Sequence, residues 1–293
     1  MGALPRAPAL PPRPDRLRLV TINFWGTEPP LESRLELAIG QLADLDLDVV
    51  CMQEVRPLDG KSGETTADVI GAALGMTVCY RRSLAWSDGD FFPGHPGGQE
   101  GLAILSRHPI LEVRHVELPE RTATEGRILL SARVDHPVSP VWVHTTHHNY
   151  RLDDGRAREK QVLALEQVVS AIGENPQIVC GDFNATPDSD EMRFLRGLTT
   201  LEGRRCHFQD AWHRIHPEER GLTWCSENGN TRALRSLDID RRIDFIYVTT
   251  RRKDGRGTIL ACEVALTGRD AKGICASDHF GVVADVVVAP ATR

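Results

Sequence analysis

The sequence predicts a layered α/β protein of the α+β type, with β-sheets in the middle and helices outside. Two segments carry apolar residues at helical spacing, and several short apolar stretches are typical of strands. The order along the chain is strand, helix, several strands, helix and further strands, which favours sheets covered by helices. A chain of 293 residues is enough for one large domain or two small ones.

The elements of the first half follow from apolar periodicity. Residues 17–23 alternate and are rich in β-forming residues, which predicts a strand. A helix comes next, because apolar residues recur at helical spacing at Leu31, Leu35, Ala38, Leu42 and Leu45. Residues 48–53 predict a short strand that ends at Glu54. Residues 102–106 and Ile128–Val134 predict two more strands.

The second half contains one further helix between strands. Residues Val141–His147 and Gln177–Asp182 are short apolar stretches that predict strands. The helix between them is marked by Val162, Leu165, Val169 and Ile172. It must end before Pro176, since proline interrupts a helix. Residues 243–248 and 281–288 predict the last strands.

We expect a single domain over residues 17–293, preceded by a flexible tail of residues 1–16. The tail is rich in Pro and Ala and lacks the compact apolar segment of a secretory signal. No apolar run approaches the roughly 20 residues of a membrane-spanning helix. The seven scattered cysteines include no Cys-x-x-Cys pair, which suits a reducing compartment. These features point to the cytoplasm.

The formal net charge of −6 disfavours tight binding of long nucleic acids. Proteins that hold many phosphates usually carry a basic surface. Short basic runs exist at residues 204–205 and 251–253, but such runs are more often solvated faces. A small or short substrate is compatible with this charge.

A long Gly-rich stretch, residues 81–98, is predicted to be a loop. It is either a rim over a functional site or a plain surface loop. Its aromatic and cationic residues are Trp86, Phe91, Phe92, Arg81 and Arg82. Aromatic groups beside cations could hold an apolar or stacked group near a phosphate, and nucleic-acid bases would stack there as well.

Polar side chains end several of the predicted strands. Asn23 ends the first strand and Glu54 follows the second. Alone, each has an ordinary explanation, since Asn is common in turns and Glu is common on surfaces. Glu54 becomes a candidate metal ligand because further carboxylates, amides and histidines occupy equivalent positions at later strands.

Three histidines, His144, His147 and His148, cluster at the end of a predicted strand. On a strand, His144 and His148 share one face and His147 lies on the other. The cluster lacks a His-Glu-x-x-His pattern and contains no cysteine, which disfavours zinc. A single histidine that acts as an acid or stabilises charge is the preferred interpretation.

Asp182 and Asn184 follow the next buried strand, after Gly181, which permits a tight turn. Because they are two residues apart, their side chains point the same way if the chain is extended. A carboxylate beside an amide suits holding a water and a phosphoryl oxygen together.

The last cluster combines Asp244 with Asp278 and His279. A carboxylate can fix the tautomer of a histidine and stabilise its cation. Asp278 and His279 are adjacent, so their side chains diverge in extended chain, and Asp244 is the candidate partner of His279. Asp278 is then free to face a metal. A set so rich in oxygen ligands favours magnesium or manganese over zinc.

In order and spacing, these motifs resemble the endonuclease/exonuclease/phosphatase superfamily. The motifs are Asn23, Gln53-Glu54, Thr146-His147, Gly181-Asp182-Phe183-Asn184, Ile243-Asp244-Phe245 and Ser277-Asp278-His279. The resemblance runs from about Leu17 to Val288, and residues 101–110 are similar to a signature strand of the family. It implies a four-layered sandwich of two mainly antiparallel β-sheets flanked by helices, with residues 17–293 as one catalytic domain.

The resemblance also implies the metal-binding residues. Glu54 would bind a catalytic Mg²⁺, or alternatively Mn²⁺, with Asn23 close by. Asp278 would help to hold the metal, at the same position or at a second one.

The same resemblance implies the catalytic roles. Asp182 and Asn184 would orient the attacking water and the phosphate, and His147 would stabilise the charged transition state. Asp244 would pair with His279. Whether Asp182 or His279 takes the proton of the water stays open.

One departure from the family bears on the substrate. Repair nucleases read Asn-x-Asp at the first motif, whereas residues 23–26 here read Asn-Phe-Trp-Gly. The second carboxylate is absent, and Asn-x-Trp-Gly is similar to the sphingomyelinase-like branch, as is Gly101-Leu102. Deadenylase-like and small-phosphatase branches stay open.

The resemblance thus implies a metal-dependent hydrolase of phosphate esters. The first hypothesis is a phosphodiesterase or phosphatase acting on a small or lipid-like substrate. The alternative is a nuclease acting on DNA or RNA, with nucleic acid the less favoured partner. A non-catalytic binding module of the same fold is a third hypothesis, which the intact set of eight polar positions argues against.

Overall fold

The computed structural model describes residues 15–60, 62–231 and 239–290. The expected flexible tail, residues 1–16, lies outside this part of the chain except for its last two residues. In the described chain the strands are β1 (Arg16–Asn23), β2 (Val49–Val55), β3 (Thr77–Trp86), β4 (Gly98–Ser106), β5 (Ile110–Glu117), β6 (Ile128–Val134), β7 (Val141–His147), β8 (Gln177–Asp182), β9 (Gln209–Asp210), β10 (Asp244–Val248), β11 (Ile259–Ala265) and β12 (Gly281–Val287). The helices are α1 (Leu31–Asp44), α2 (Thr66–Leu74), α3 (Gly155–Ile172), α4 (Asp190–Leu195) and α5 (Ala211–Ile215).

The strands form two six-stranded sheets. The first has the order β11-β12-β1-β2-β4-β3 and the second the order β5-β6-β7-β8-β10-β9. Each sheet contains one parallel pair, β1 with β2 and β7 with β8, and its other neighbours are antiparallel. The expectation of two mainly antiparallel sheets is therefore confirmed.

Three apolar clusters define four layers. Inner faces of the two sheets pack on each other, with Cys51 and Cys180 among the buried residues between them. The outer face of the first sheet packs on α1 through residues such as Leu42. Val162 and Leu165 of α3 cover the outer face of the second sheet. The predicted sandwich with outer helices is confirmed, since burial of these apolar faces is the main force that joins the layers.

The predicted loop at residues 81–98 is partly wrong. Strand β3 continues to Trp86, because residues 77–86 pair with β4, and only residues 87–97 form the loop. The sequence patterns did not predict α2, α4, α5, β5, β9 or β11. Strand β5 lies at a sheet edge and is largely exposed, so it carries little of the apolar signal that marks a buried strand. None of the helices in the described residues is long and apolar enough to cross a membrane.

Strand directions bring the predicted site residues to one end of the sandwich. The parallel pairs β1–β2 and β7–β8 each end at the same edge of their sheet. Strands β10 and β12 run antiparallel to β8 and β1, so their first residues lie at that same end. Asp244 pairs directly with Asp182 in the β-ladder.

Candidate active site

All eight predicted site residues lie at this end of the sandwich. They come from the ends of β1, β2, β7 and β8, the start of β10 and the turn before β12. They are Asn23, Glu54, His147, Asp182, Asn184, Asp244, Asp278 and His279. Six of them form one connected set of side-chain contacts that crosses between the two sheets.

Asn23 joins the two sheets at the centre of the site. Its Nδ2 donates to Glu54 Oε1 at 3.1 Å and to Asp182 Oδ2 at 3.0 Å. Its Oδ1 accepts from the backbone N–H of Trp25 at 3.0 Å, which sets the orientation of the amide. The hydroxyl of Ser277 donates to the backbone carbonyl of Asn23 at 2.6 Å. One amide therefore holds two carboxylates from different sheets in a fixed relation.

Glu54 occupies a bulge where β2 leaves its regular pairing with β4. Its φ of 52° lies in the left-handed region, which is uncommon for a residue with a side chain and often marks functional positions. Burial, followed by the nearby carboxylates of Glu100 and Asp278, raises the pKa of Glu54 to about 7. Carboxylates that repel one another in this way fit a site for a divalent cation, which would neutralise them.

Asp278 belongs to the same acidic group. Its Oδ1 accepts from the Ser277 hydroxyl at 3.2 Å. Burial raises the pKa of the Asp278 carboxyl, and the nearby His279 and Arg34 only partly oppose that effect. Asp278 lies close enough to Glu54 to help raise the pKa of that carboxyl, while its neighbour His279 pairs with Asp244.

His279 and Asp244 form the pair that the sequence predicts. The Nδ1 of His279 lies 2.9 Å from Asp244 Oδ2. Burial alone would lower the pKa of His279, but Asp244, Asp278 and Asp182 together raise it well above its ordinary value. The other oxygen of Asp244, Oδ1, is buried and has no hydrogen-bond partner among the described residues.

Asp182 lies between the two histidines of the site. Its Oδ2 is 3.5 Å from His147 Nε2 and 3.8 Å from His279 Nε2. Burial and the neighbouring Asp244 carboxylate raise the pKa of Asp182 to about 6. A carboxyl with this pKa, next to an imidazole, can exchange a proton near neutral pH.

The chain turns sharply after Asp182, which changes the predicted geometry of Asn184. Asn184 has a φ of 50°, so residues 182–184 are not extended and their side chains do not follow strand alternation. The backbone N–H of Asn184 donates to Asp182 Oδ1 at 2.8 Å, and its Nδ2 donates to the carbonyl of His148 at 3.1 Å. Asn184 therefore fixes the carboxylate and the neighbouring loop.

The three clustered histidines have different environments. His144 is fully buried between Ser131 and Gln177, at 2.7 and 3.0 Å. Burial lowers its pKa to about 4. Burial also lowers the pKa of His148, to about 3, and this ring packs edge-on against Phe183. Only His147 contacts the carboxylates of the site, as the alternation of a strand requires.

His147 is held in its neutral form. Its pKa lies well below the ordinary value because of burial and then because of the positive charge of Arg127. A neutral imidazole can donate one hydrogen bond to a phosphoryl oxygen.

The described residues contain one tight cluster of groups that could hold a metal ion. It consists of Asp182, Asp244 and His279, whose ligand atoms all lie within 4.8 Å of one another. Together with Glu54 and Asp278, these side chains make the end of the sandwich strongly acidic, which suits a divalent cation bound by oxygen atoms.

A cleft of about 410 Å³ opens directly beside Glu54 and His147. Besides His147, its wall contains five ring-bearing residues, namely Trp86, Phe91, Phe92, His95 and Tyr150. The rings of Trp86 and Phe91 meet edge to face with centroids 5.5 Å apart. The loop of residues 87–97 thus forms one rim of the site.

The cations of this cleft are not the ones that the sequence suggested. Arg81 and Arg82 lie exposed on β3 and do not line the cleft, whereas Arg56 and Arg127 do. Arg56 and Arg127 belong to none of the predicted motifs, so the sequence did not point to them.

Arg34 was also missed, although a signal for it exists. It lies three residues after Leu31 and four before Ala38, on the apolar face of α1, and it is fully buried. A cation at a core position of an amphipathic helix is unusual and indicates a specific role.

Comparison with known proteins gives one family and one fold. Residues 20–279 match the Endonuclease/Exonuclease/phosphatase family. No curated protein matches at the level of sequence.

Solved structures share the fold at low sequence identity. TDP2 of D. rerio, in complex with a single-strand DNA product, is 19% identical, with 92% of this chain and 98% of that chain covered and a TM-score of 0.70. The endonuclease/exonuclease/phosphatase of Beutenbergia cavernae DSM 12333 is 22% identical, with 94% and 72% covered and a TM-score of 0.71. The catalytic domain of human Nocturnin with a bound sulfate anion is 19% identical, with 93% of each chain covered and a TM-score of 0.66.

The family match and the site agree. Most of the chain matches the family, its two sheets form the family's sandwich, and its acidic cluster can hold a metal. The chain therefore belongs to the endonuclease/exonuclease/phosphatase family and is a metal-dependent phosphoesterase.

Proposed function

We propose that this protein is a magnesium-dependent phosphodiesterase or phosphatase that acts on a small or lipid-like phosphate ester. The observation that carries the proposal is the cleft of about 410 Å³ beside Glu54 and His147. A cleft of this size is typical of sites for small molecules. Its aromatic wall suits an apolar or planar group attached to the phosphate.

Glu54, Asn23 and Asp278 are the residues that would hold the metal. In the neighbouring cluster of Asp182, Asp244 and His279, the histidine is bonded to Asp244 and its raised pKa keeps it protonated, so it does not serve as a metal ligand. Glu54 and Asp278 supply two carboxylates that repel each other, and a bound cation would offset this repulsion. Asn23 keeps Glu54 in place through its 3.1 Å hydrogen bond. Manganese could occupy the same oxygen-rich site. The bound ion would act as a Lewis acid that neutralises phosphoryl oxygens and the leaving oxygen.

The remaining residues orient a water and move its proton. Asp182 and Asn184 position the attacking water opposite the leaving oxygen, and the neutral His147 donates to a phosphoryl oxygen. The proton passes to Asp182, because His279 is already protonated: Asp244 and the nearby carboxylates raise its pKa well above the ordinary value. General acid–base help of this kind contributes about 10²–10⁴-fold in rate.

A nuclease is the second candidate function, and two observations favour it. Rings such as Trp86 and Phe91 could stack on nucleic-acid bases, at about 1–3 kcal/mol per base. The D. rerio TDP2 structure of the same fold contains a single-strand DNA product. The net charge of −6 and the absence of a second carboxylate at Trp25 favour the small-substrate proposal over duplex DNA.

The test is a panel of substrates assayed with magnesium at moderate salt. It covers phospholipids, nucleotides, sugar phosphates, single-stranded oligonucleotides and plasmid DNA. We expect turnover of a small or lipid-borne phosphate ester and weak or no nicking of the plasmid. Efficient nicking without action on phospholipids or small phosphates would overturn the proposal in favour of a nuclease.

A Glu54→Gln variant serves as the matched control in that panel. It removes one charged ligand and almost no volume, so we expect most activity to disappear while the circular dichroism spectrum and melting temperature stay near those of the wild type. Magnesium-dependent turnover that persists in this variant would show that Glu54 is not the metal ligand.

A further inference from the structure

A second pocket lies at the end of the sandwich opposite the candidate active site. Its volume is about 250 Å³, and its wall includes the first residues of β7, the residues just before β8 and part of the segment between β10 and β11. Trp142 in this wall lies five residues before His147 on β7, which separates the two sites by roughly 16 Å at 3.3 Å per residue. The pocket is therefore distinct from the cleft beside Glu54.

Three arginines line this pocket, namely Arg133, Arg252 and Arg256. Two carboxylates pair with them. Glu174 lies 3.3 Å from Arg133, and Asp254 lies 3.7 Å from Arg252 and 2.7 Å from Arg256. The three cations thus outnumber these two partners, although the net charge of the chain is −6. A local surplus of positive charge favours an anionic ligand.

Two buried donors at the pocket lack an acceptor. The indole Nε1 of Trp142 and the Nε of Arg133 are buried and have no hydrogen-bond partner among the described residues. Trp142 as a whole is only 2% exposed. Buried donors are rarely left unpaired, because the loss of hydration is then not compensated. Arg133 and Trp142 are direct partners in the ladder of β6 and β7, so their side chains lie on the same face of the sheet. One ligand with several acceptor oxygens can therefore serve both.

The indole ring of Trp142 is held in a fixed orientation. The guanidinium carbon of Arg114 lies 4.9 Å from its ring centroid, and the ring of His144 lies nearly parallel to it, with centroids 6.1 Å apart. The position of the donor is thus set before a ligand arrives, which reduces the entropy lost on binding.

Glu174 is an anion that the pocket already holds. Its carboxylate is bonded to Arg133, and its side chain is 56% exposed. Exposed ion pairs contribute little to stability, so a ligand of higher charge can take the place of this carboxylate at small cost. The exchange would also give ligand oxygens access to the two buried nitrogens, which lie beneath the surface of the pocket.

We propose that this pocket binds a small phosphate-bearing anion. The anion replaces Glu174 on Arg133, contacts Arg252 and Arg256, and accepts a hydrogen bond from the indole N–H of Trp142. A phosphate suits this set better than a carboxylate does, because it offers more oxygens and a second charge to several guanidinium donors. The volume of about 250 Å³ leaves room for the phosphate and a few further atoms. This site is independent of the proposed function.

The test uses the indole N–H groups as local probes. The chain has five Trp residues, and each contributes one indole signal to an NMR spectrum of ¹⁵N-labelled protein. Trp142→Phe and Trp86→Phe identify the signals of the second pocket and of the cleft. Inorganic phosphate is then titrated into the magnesium-loaded wild type. We expect the Trp142 signal to shift and saturate as its N–H gains an acceptor, whereas sodium chloride of equal ionic strength should leave it in place.

Two variants should change the affinity in opposite directions. Arg133→Met removes a charged donor and should weaken phosphate binding at Trp142 about 10- to 100-fold. Glu174→Gln removes the competing carboxylate and should tighten binding about two- to fivefold.

A matched control is available at the same end of the sandwich. Arg107 follows the end of β4, is paired with Asp46 at 2.7 Å and lies outside the pocket. Arg107→Met changes the net charge exactly as Arg133→Met does, but it should leave the phosphate affinity within about twofold.

A second titration with methylphosphonate, which has no ester bond to hydrolyse, identifies the source of the ligand. Binding of either compound that depends on Arg133 supports the proposal. Tighter binding of methylphosphonate points to the phosphate group of a larger molecule, and tighter binding of inorganic phosphate points to the free ion.

Three results would overturn the proposal. Phosphate shifts the Trp86 signal without shifting that of Trp142, or Arg133→Met and Arg107→Met weaken the binding equally, or Glu174→Gln binds phosphate no more tightly than the wild type does. The last comparison decides the matter if Arg133→Met does not fold.

Discussion

At the scale of single residues, the proposed chemistry depends on the contacts between two carboxylates and two imidazoles. Asp244 is bonded to His279, and Asp182 lies within 3.8 Å of both His279 and His147. His279 is held towards its cationic form and His147 towards its neutral form. Two histidines of opposite character on either side of one carboxylate can serve different parts of one proton transfer.

The pair of Asp244 and His279 should act as a unit. We expect His279→Ala and Asp244→Asn each to lower kcat/KM by about 10²–10⁴-fold. The kcat/KM of the double variant should be only slightly lower than that of the more impaired single variant, because either change already removes the oriented imidazole. Steady-state kinetics of the four proteins measures this, and effects that simply multiply would contradict a coupled pair.

His147 and His144 should separate catalysis from stability. His147→Ala should lower kcat about 10²–10⁴-fold. His144→Ala loses the contacts with Ser131 and Gln177 and should lower the free energy of unfolding by about 1–3 kcal/mol. Its kcat, measured on the folded protein, should stay within a few-fold of the wild type. Urea unfolding and kinetics on both variants check this; the reverse pattern would assign the catalytic role to the wrong face of β7.

At the scale of elements, α1 connects the two segments that carry the proposed metal-binding residues. The guanidinium of Arg34 donates to the carbonyls of Phe24 and Glu28 after β1 and to that of Ala276 before β12, at 3.1 Å in the last case. It lies 5.0 and 4.9 Å from the ring centroids of Phe24 and Trp25. One buried side chain on α1 thereby holds both the loop after Asn23 and the turn before Asp278.

Arg34→Met should therefore reduce both stability and activity. The carbonyls that lose their donor stay buried, and we expect a loss of about 3 kcal/mol or more in the free energy of unfolding. Activity should fall although Arg34 lines no part of the cleft.

The control is Arg107→Met, which removes an arginine on the surface, paired with Asp46 at 2.7 Å. It should change stability by at most about 0.5–1 kcal/mol. Chemical unfolding with and without magnesium measures both variants. Equal losses in Arg34→Met and Arg107→Met would show that Arg34 has no special role.

At the scale of the whole molecule, the two sheets bring carboxylates together at one end. This concentration of charge makes the free energy of unfolding depend on pH and on metal binding. The pKa of Glu54 rises from 4.5 to about 7, and that of Asp182 rises to about 6. In the metal-free protein, the folded state holds these protons more tightly than the unfolded state. The contribution of Glu54 to stability is fully present below pH 4.5 and is lost as pH rises towards about 7. That of Asp182 is fully present below pH 3.8 and is lost as pH rises towards about 6.

Magnesium should reverse this trend. The metal binds the ionised carboxylates, so protons compete with it below the pKa of Glu54, and its apparent affinity should fall up to about tenfold per pH unit there. We expect the rise in melting temperature on adding magnesium to be larger at pH 8 than at pH 6. Thermal shift assays measure this, with Glu54→Gln as the control that should lose most of the difference. A magnesium effect that is equal at both pH values would argue against Glu54 as a ligand.

The sequence by itself determined the layered fold and the places where the polar residues end up. Buried strands such as β8 read as apolar runs, so their ends could be located, and the strand directions of a sandwich bring those ends together. The pairing of Asp244 with His279 followed from a local rule, since adjacent side chains on extended chain diverge. These features depend on periodicity along the chain, and periodicity is visible in the sequence.

Only the tertiary structure decided what surrounds the reacting groups. It showed that Asn184 lies in a turn, that β3 extends to Trp86, and that Arg56 and Arg127 supply the cations of the cleft. These residues lie far apart in the chain or in segments without apolar repeats. Their positions depend on loop paths and on contacts between the two sheets, and such long-range packing leaves no periodic pattern in the sequence from which it could be predicted.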